Sequence, residues 1–413
     1  MKHVIVGGGP AGVVAAETLR KADPAAEITV FCGEAEPPYA RMAIPYLLKG
    51  DIDESGTHIR KDPGHYERLR ISMVQARVER VDTVARTVRA TGGVTRPYDR
   101  LLIATGSRPS RERIPGIDLP GVLTCWTLAD ARRIIAATRP GSRVVQMGAG
   151  FVGCIIMEGL LSRGVDLTIL VRSGLMVRRM MNATAAGLIR RWCESRGVKI
   201  LTRTQPKSIS AGGGVLRVDV GDRTLVADVY LSVVGVDPNL GFLHESGIEI
   251  GRGILVDSNQ QTNVPGVYAA GDVAESADCL TGERQLNAIQ PNAVEGGRIA
   301  ALNMAGRRAL SKGSFSFNVL TTLGLVSSSF GRWQGVPGGE SVEVLDEARY
   351  RYINRQFDGD RLVGANSVGF SEHIGALRGL IEGGLPLREW KGRLLEDPSQ
   401  VMPAYLAAAG CTA

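Results

Sequence analysis

Val4-Ile5-Val6-Gly7-Gly8-Gly9-Pro10-Ala11-Gly12 opens the chain, and Val144-Val145-Gln146-Met147-Gly148-Ala149-Gly150-Phe151-Val152-Gly153 repeats its pattern further on. Each run is an apolar strand that breaks into G-x-G-x-x-G and then into a helical stretch. The three glycines of such a run have separate tasks. The first makes the tight turn, the second lets the backbone approach a diphosphate, and the third lets helix and strand pack closely. The free N–H groups and the positive end of the following helix attract that anion. Two fingerprints in one chain therefore predict two bound dinucleotides, one held permanently and one exchanged. That points to a flavoenzyme reduced by a nicotinamide.

The residues after each second strand separate the two sites. Ile28-Thr29-Val30-Phe31 is followed by Glu34, placed where an acid bonds ribose hydroxyls. In the second copy Leu167-Thr168-Ile169-Leu170-Val171 ends without an acid, and Arg172 and Ser173 follow, with Arg178 and Arg179 beyond. A carboxylate bonds a free 2′-hydroxyl and repels a 2′-phosphate, whereas a guanidinium fork does the reverse. The pattern predicts NADPH, with NADH as the alternative.

Composition narrows the class. A chain of 413 residues with 44% hydrophobic content can bury more than one core. No run of about twenty apolar residues is present to span a bilayer. The first strand begins next to Met1, so no leader is expected and a cytoplasmic location is. The cysteines Cys32, Cys125, Cys154, Cys193, Cys279 and Cys411 form no C-x-x-C pair, and His3, His58, His65, His244 and His373 show no metal-ligand spacing. No metal site is expected. The net charge of +7 reads either as a general basic background dominated by arginine or as suited to an acidic partner such as a small electron carrier. No dense Lys/Arg block with interleaved aromatics appears, which argues against nucleic acid.

Along the chain, a proline- and aromatic-rich loop, Glu36 to Tyr46, follows the first lobe's second strand. Residues 72–96 read as a β-meander with Gly92-Gly93 at a turn. Tyr98 to Ser107 ends the first lobe through Ala104-Thr105-Gly106, where small residues let the backbone pass near a cofactor. A second lobe over roughly residues 111–235 ends at a hinge, Val234-Gly235-Val236-Asp237-Pro238-Asn239. Then Val267-Tyr268-Ala269-Ala270-Gly271-Asp272 delivers a carboxylate from the end of a short strand, placed to hold the sugar-alcohol hydroxyls of a flavin.

The order of these four motifs resembles the FAD-dependent pyridine nucleotide oxidoreductases. Ile28-Thr29-Val30 through Glu34, with Pro38-Tyr39-Ala40-Arg41, resembles the ferredoxin and rubredoxin reductase branch. Asn292-Ala293-Val294-Glu295-Gly296-Gly297-Arg298 and Asn303-Met304-Ala305-Gly306 are also similar to the flavin half of assimilatory nitrite reductases. The resemblance implies an α/β fold of two Rossmann-like dinucleotide-binding domains, glutathione-reductase-like, with a C-terminal α+β interface domain. Residues 1–110 and 236–308 would bind FAD, 111–235 would bind NAD(P)H, and 309–413 would form the interface domain and mediate a homodimer. Its helix-like stretch Ala376 to Ile381 reads equally as an amphipathic core helix.

For individual residues the resemblance implies the following roles. Gly7, Gly9, Pro10, Ala11 and Gly12 cradle the FAD diphosphate, Glu34 takes the adenosine ribose, and Arg41 pairs with the diphosphate. Thr105 and Gly106 line the flavin site, Asp272 holds the ribityl chain, and Ala104, Gly271, Asn292 and Ala293 are further cofactor-binding positions. Gly148, Gly150, Phe151, Val152 and Gly153 bind the NADPH diphosphate, and Arg172, Arg178 and Arg179 face the 2′-phosphate. Ile44, Pro45, Tyr46 and Ile155 are candidates near the flavin.

Three departures qualify the resemblance. Met42 stands where disulfide-using relatives carry a reactive cysteine, so the flavin is expected to be the sole redox centre. Tyr46 replaces a lysine, and Ile155 replaces a glutamate near the nicotinamide. The resulting expectation is an NADPH-dependent reductase that passes electrons through FAD to a protein carrier or partner subunit. A direct small-molecule reductase or NAD(P)H oxidase is the second reading. A redox-sensing flavoprotein resembling apoptosis-inducing factor is the third.

Overall fold

The computed structural model describes residues 1–410, so Cys411 lies outside the described residues. The chain divides into two compact units. One comprises Met1–Leu47, Asp51–Arg108 and Val236–Phe315; the other comprises Leu48–Gly50, Pro109–Gly235 and Ser316–Ala413.

The first unit is built on a five-stranded parallel sheet in the order Val267–Ala269, Arg100–Ile103, Lys2–Val6, Glu27–Cys32, Ile71–Gln75. Successive side chains of a strand face opposite sides, and both sides are apolar here. Ile5, Ile28, Val30 and Leu102 pack with Ala15, Leu19, Ala300 and Met304 of the helices Pro10–Ala22 and Gln290–Met304. Val4, Val6, Phe31, Leu101 and Ile103 pack on the opposite side against Val81, Val88 and Tyr98. A fully buried aliphatic or aromatic side chain contributes roughly 1.5–3 kcal/mol, so this double burial fixes the central strand firmly. Pro10 stands at the helix start, where its preset φ suits the first turn and its missing N–H costs nothing.

The expected meander over 72–96 differs in its first strand. Ile71–Gln75 pairs in parallel with the main sheet, Ile28 opposite Ile71, and only Val78–Asp82, Thr87–Ala90 and Thr95–Pro97 form the antiparallel set. The dipeptide Ala76-Arg77 breaks the run, and the ladder at Val78 carries an irregularity of register.

In the second unit a parallel sheet has the order Lys199–Thr202, Asp166–Val171, Arg143–Met147, Val229–Ser232, Val122–Thr124. Val145, Met147, Leu170 and Tyr230 pack against Leu216 and Val218 of a three-stranded antiparallel sheet. A five-stranded antiparallel sheet follows within residues 317–368. Asn182 joins the two parts: it caps the helix Ala183–Ser195, its backbone N–H donates to Asn366 at 3.0 Å, and its amide donates to the Tyr352 hydroxyl at 2.5 Å. The helix Ile374–Gly383 buries Ala376, Leu377, Leu380 and Ile381.

Candidate nucleotide-binding sites

The two glycine loops have the same geometry, and the demands on their glycines divide in the same way. Gly7 has φ +118° and a Cβ there would lie 2.1 Å from the Ala104 carbonyl oxygen; Gly148 has φ +110° and would meet the Val233 oxygen at 2.4 Å. A Cβ at Gly12 would lie 1.9 Å from the Gly7 oxygen, and one at Gly153 would lie 2.4 Å from the Gly148 oxygen. The chain itself requires those four glycines.

Gly9 and Gly150 are different. Both have ordinary extended backbone, φ −77° and −81°, and a Cβ on either would meet nothing within 4 Å. Each caps a helix of at least twelve residues without a side-chain hydrogen bond. Nothing in the chain calls for glycine there. A phosphate that must approach the helix N-terminus does, which is the fit expected for a dinucleotide in each cradle.

The remaining residues of the first site gather around its loop. Gly271, at φ +80°, brings the third motif to the first helix: a Cβ there would lie 3.4 Å from the Cβ of Ala11 and 3.6 Å from that of Ala293. Gly297 lets the two helices touch, since its Cβ would lie 2.3 Å from the Ala11 oxygen. Asp272 is half-buried and accepts a hydrogen bond from Ser107 Oγ at 2.7 Å. Thr105 and Asn239 exchange hydrogen bonds, Thr105 Oγ1 donating to the Asn239 oxygen and the Asn239 amide to the Thr105 oxygen at 2.9 Å. The Asn292 amide donates to the Phe315 oxygen at 3.2 Å. Glu34 and Arg41, assigned to different parts of one ligand, here pair with each other at 2.6 Å, and Tyr39 bonds both. Tyr39, Ser107 and Asn239 hold these residues in place, and nothing in the sequence marks a side chain for that task.

At the second site Arg172, Arg178 and Arg179 are exposed, and among the described residues none of them forms an ion pair. Glu112 accepts from the Ser232 hydroxyl at 2.7 Å and from Tyr230 at 3.0 Å. Burial raises the Glu112 pKa; the two hydroxyl donors and the nearby Arg172 charge only partly offset it. No periodicity in the sequence marked Glu112.

Residues 1–297 match the sequence pattern described as Pyridine nucleotide-disulphide oxidoreductase. The chain belongs to that family. It is 31% identical over 363 residues to the NADH-dependent phenylglyoxylate dehydrogenase subunit epsilon of Aromatoleum evansii, covering 87% of this chain and 86% of that one. It is 32% identical over 396 residues to the ferredoxin--NAD(+) reductase component of the anthranilate 1,2-dioxygenase system of Burkholderia cepacia, covering 92% and 94%. Among solved structures, an engineered water-forming NADPH oxidase bound to NADPH superposes with a TM-score of 0.85 at 22% identity, over 94% of this chain and 92% of that one. This shows the same fold.

The protein is accordingly an FAD-dependent NAD(P)H oxidoreductase. Unlike the disulphide chemistry in the family's name, four of its described thiols, Cys32, Cys125, Cys154 and Cys193, are buried, and Cys279 is half-buried. Met42 is 46% exposed at the relevant loop, and the nearby Cys32 is buried, its Sγ 2.6 Å from where a Cβ on Gly8 would stand. Burial pushes the Cys32 thiol up to about 11 and that of Cys125 and Cys193 to about 12. Such thiols are poor nucleophiles at neutral pH. Near the substituted positions, Tyr46 is 57% exposed, while Ile155 is partly buried. In the second unit Lys49 and Glu158, each three residues further along, form an ion pair at 3.0 Å. Sequence comparison by position missed that pair because it looks for the charge at one place, while a helix brings i and i+3 to the same face. Among the described residues no helix is long and apolar enough to cross a membrane.

Proposed function

We propose that this oxidoreductase takes electrons from NADPH and hands them to a protein electron carrier of the ferredoxin class. The observation that carries the reading is the pair of glycines, Gly9 and Gly150, which the chain does not need and two diphosphates would. FAD, when bound, supplies the conversion between a two-electron hydride donor and a one-electron acceptor.

The residues contribute position and charge. Gly7, Gly9 and Gly12 leave the first helix N-terminus open to the FAD diphosphate, and Arg41 and Glu34, paired with each other here, would exchange that pairing for the diphosphate and the ribose. Asp272, fixed by Ser107, is available to the ribityl hydroxyls. Ala104, Thr105 and Gly106, held by Asn239, form a small-residue wall. Gly148, Gly150, Phe151, Val152 and Gly153 present the second helix N-terminus to the nicotinamide nucleotide.

For the 2′-phosphate, the support is local. Both curated relatives name NAD(H). The engineered oxidase, however, carries Ala-Arg-Ser in place of Asp-Ala-Met, and an arginine in place of proline five residues after the serine. Val171-Arg172-Ser173 followed by Arg178 has that same spacing. Its remaining substitution, glycine to alanine eighteen residues before the first of these, corresponds to Gly153, which stays glycine here. Exposed arginines that form no ion pair among the described residues suit this use, since none has to be broken to bind phosphate.

The ferredoxin--NAD(+) reductase relative, similar over nearly its whole length, supports a protein acceptor, as does the net charge of +7. A cytoplasmic location goes with this reading. A homodimer would use the edge strand Glu340–Asp346, on which Val344 and Leu345 are exposed. The test is anaerobic turnover of the FAD-loaded protein with NADPH, a ferredoxin and cytochrome c. Cytochrome reduction that depends on the ferredoxin supports the proposal. An aerobic oxidase rate that no carrier alters would overturn it in favour of a direct small-molecule reductase.

A further inference from the structure

Gln146 is fully buried, with no exposed surface, in the central strand of the second lobe. Its neighbours Val145 and Met147 face the antiparallel sheet, so Gln146 faces the helix Phe151–Ser162 that opens at the glycine loop. Its amide nitrogen donates to the Gly148 oxygen at 2.8 Å and to the Gly153 oxygen at 3.1 Å. Both neighbours are carbonyl oxygens, so the opposite amide orientation would set oxygen against oxygen. The amide oxygen, meanwhile, is buried with no hydrogen-bond partner among the described residues.

The first lobe offers an internal comparison. Two residues before its first glycine stands Ile5, also without exposed surface. A Cβ on Gly12 would lie 3.3 Å from Ile5 Cγ2, just as one on Gly153 would lie 2.9 Å from Gln146 Nε2. The two loops share one plan, and an aliphatic side chain completes it in the first. An unpartnered buried amide oxygen is destabilising, so packing gives no reason for glutamine at this place.

We propose that Gln146 is a positioning residue for the second glycine loop, setting the affinity for the nicotinamide nucleotide by fixing the Gly148 and Gly153 carbonyls. The peptide unit is planar, and no peptide bond in the described chain is cis. Holding the Gly148 oxygen toward the strand therefore turns the Ala149 N–H the other way, out of the strand–helix packing. The Gly153 oxygen is drawn to the same amide, tying the first helical turn to the strand below it. Ile5 has no donor, and the first loop lacks this tie. The exchangeable nucleotide thus meets a loop already ordered by a side chain. This inference rests on the reading that the second loop holds that nucleotide.

The test uses Gln146→Met, which keeps the length of the side chain and removes its donors, in the FAD-loaded protein. NADP+ binding is titrated, FAD content and melting temperature are recorded, and steady-state KM and kcat for NADPH are separated. The expected result is a melting temperature equal to or above that of the parent, unchanged FAD content, and NADP+ affinity weaker by roughly three- to tenfold, the worth of one hydrogen bond. KM should rise more than kcat falls. Unchanged NADP+ affinity overturns the proposal, and so does a protein that loses stability or fails to fold, because glutamine would then serve packing. Gly150→Ser serves as the control. If it too leaves NADP+ affinity untouched, the reading of the second loop fails; if it weakens binding while Gln146→Met does not, only the role of Gln146 fails.

Discussion

Gly150→Ser should make the protein more stable and a poorer binder of its nicotinamide nucleotide, two effects of opposite sign from one atom group. Gly150 has φ −81° and ψ −166°, which any residue adopts, and an added Cβ meets nothing within 4 Å. Replacing glycine where the backbone suits a side chain stabilises by about 0.4–1 kcal/mol through the unfolded state. Serine also caps the helix, which now has no side-chain cap, for a few tenths of a kcal/mol more. The same side chain stands in the diphosphate's path and accepts from the N–H groups that a phosphate would use. Losing one charge-assisted hydrogen bond is worth about 1.5–3 kcal/mol, roughly 10- to 150-fold in Kd. Calorimetric melting and NADP+ titration of the FAD-loaded variant measure both. A raised melting temperature with unchanged NADP+ affinity would refute the reasoning, since the cradle would then not be where the nucleotide binds.

Four further outcomes follow from named residues. Arg172→Ala should lower the NADPH-to-NADH ratio of kcat/KM by between about fivefold, the value of an exposed ion pair, and about a hundredfold for a bidentate contact; an unchanged ratio removes the arginine from phosphate recognition. Asp272→Ala should release FAD during gel filtration, whereas Ser107→Ala, which only loosens Asp272, should weaken FAD retention less. Treatment of the holoprotein with N-ethylmaleimide at pH 7 should leave NADPH-driven carrier reduction intact even where Cys279 or Cys411 is modified, because neither has a part in the account and Cys32, Cys125, Cys154 and Cys193 are buried with raised pKa values. His3 is buried in the first strand with neither ring nitrogen hydrogen-bonded among the described residues, and burial lowers its pKa below 6.5, only partly offset by the Asp23 carboxylate 3.9 Å from Nε2. Its neutral form is the folded one, so stability is full above pH 6.5 and declines as the pH falls toward the folded pKa, by at most about 1.4 kcal/mol per pH unit. His3→Leu should flatten that limb in urea unfolding between pH 5 and pH 7.

The fold was legible because each fingerprint couples a strand, a turn that only glycine permits, and a helix start. Gly7 and Gly148 have positive φ and would strike carbonyl oxygens with a Cβ, so the sequence could not be otherwise there. The fate of Ile71–Gln75 was not legible. A short apolar strand reads alike in a meander and at a parallel edge, and only its pairing with Glu27–Cys32 decides. Within the sites, residues expected at ligand contacts were readable from motif position. The side chains that hold them were not, because Ser107 reaches Asp272 and Asn239 reaches Thr105 across more than a hundred residues. Gln146 lay inside the quoted motif, yet its importance appears only when its amide is seen between two loop carbonyls while Ile5 fills the matching place.

The most direct measurement is anaerobic rapid mixing of the FAD-loaded protein with NADPH and, separately, with NADH, following loss of the flavin's visible absorption. On this account NADPH bleaches the protein, faster than NADH does, and Arg172→Ala erases the difference. Bleaching by neither nucleotide would contradict the account.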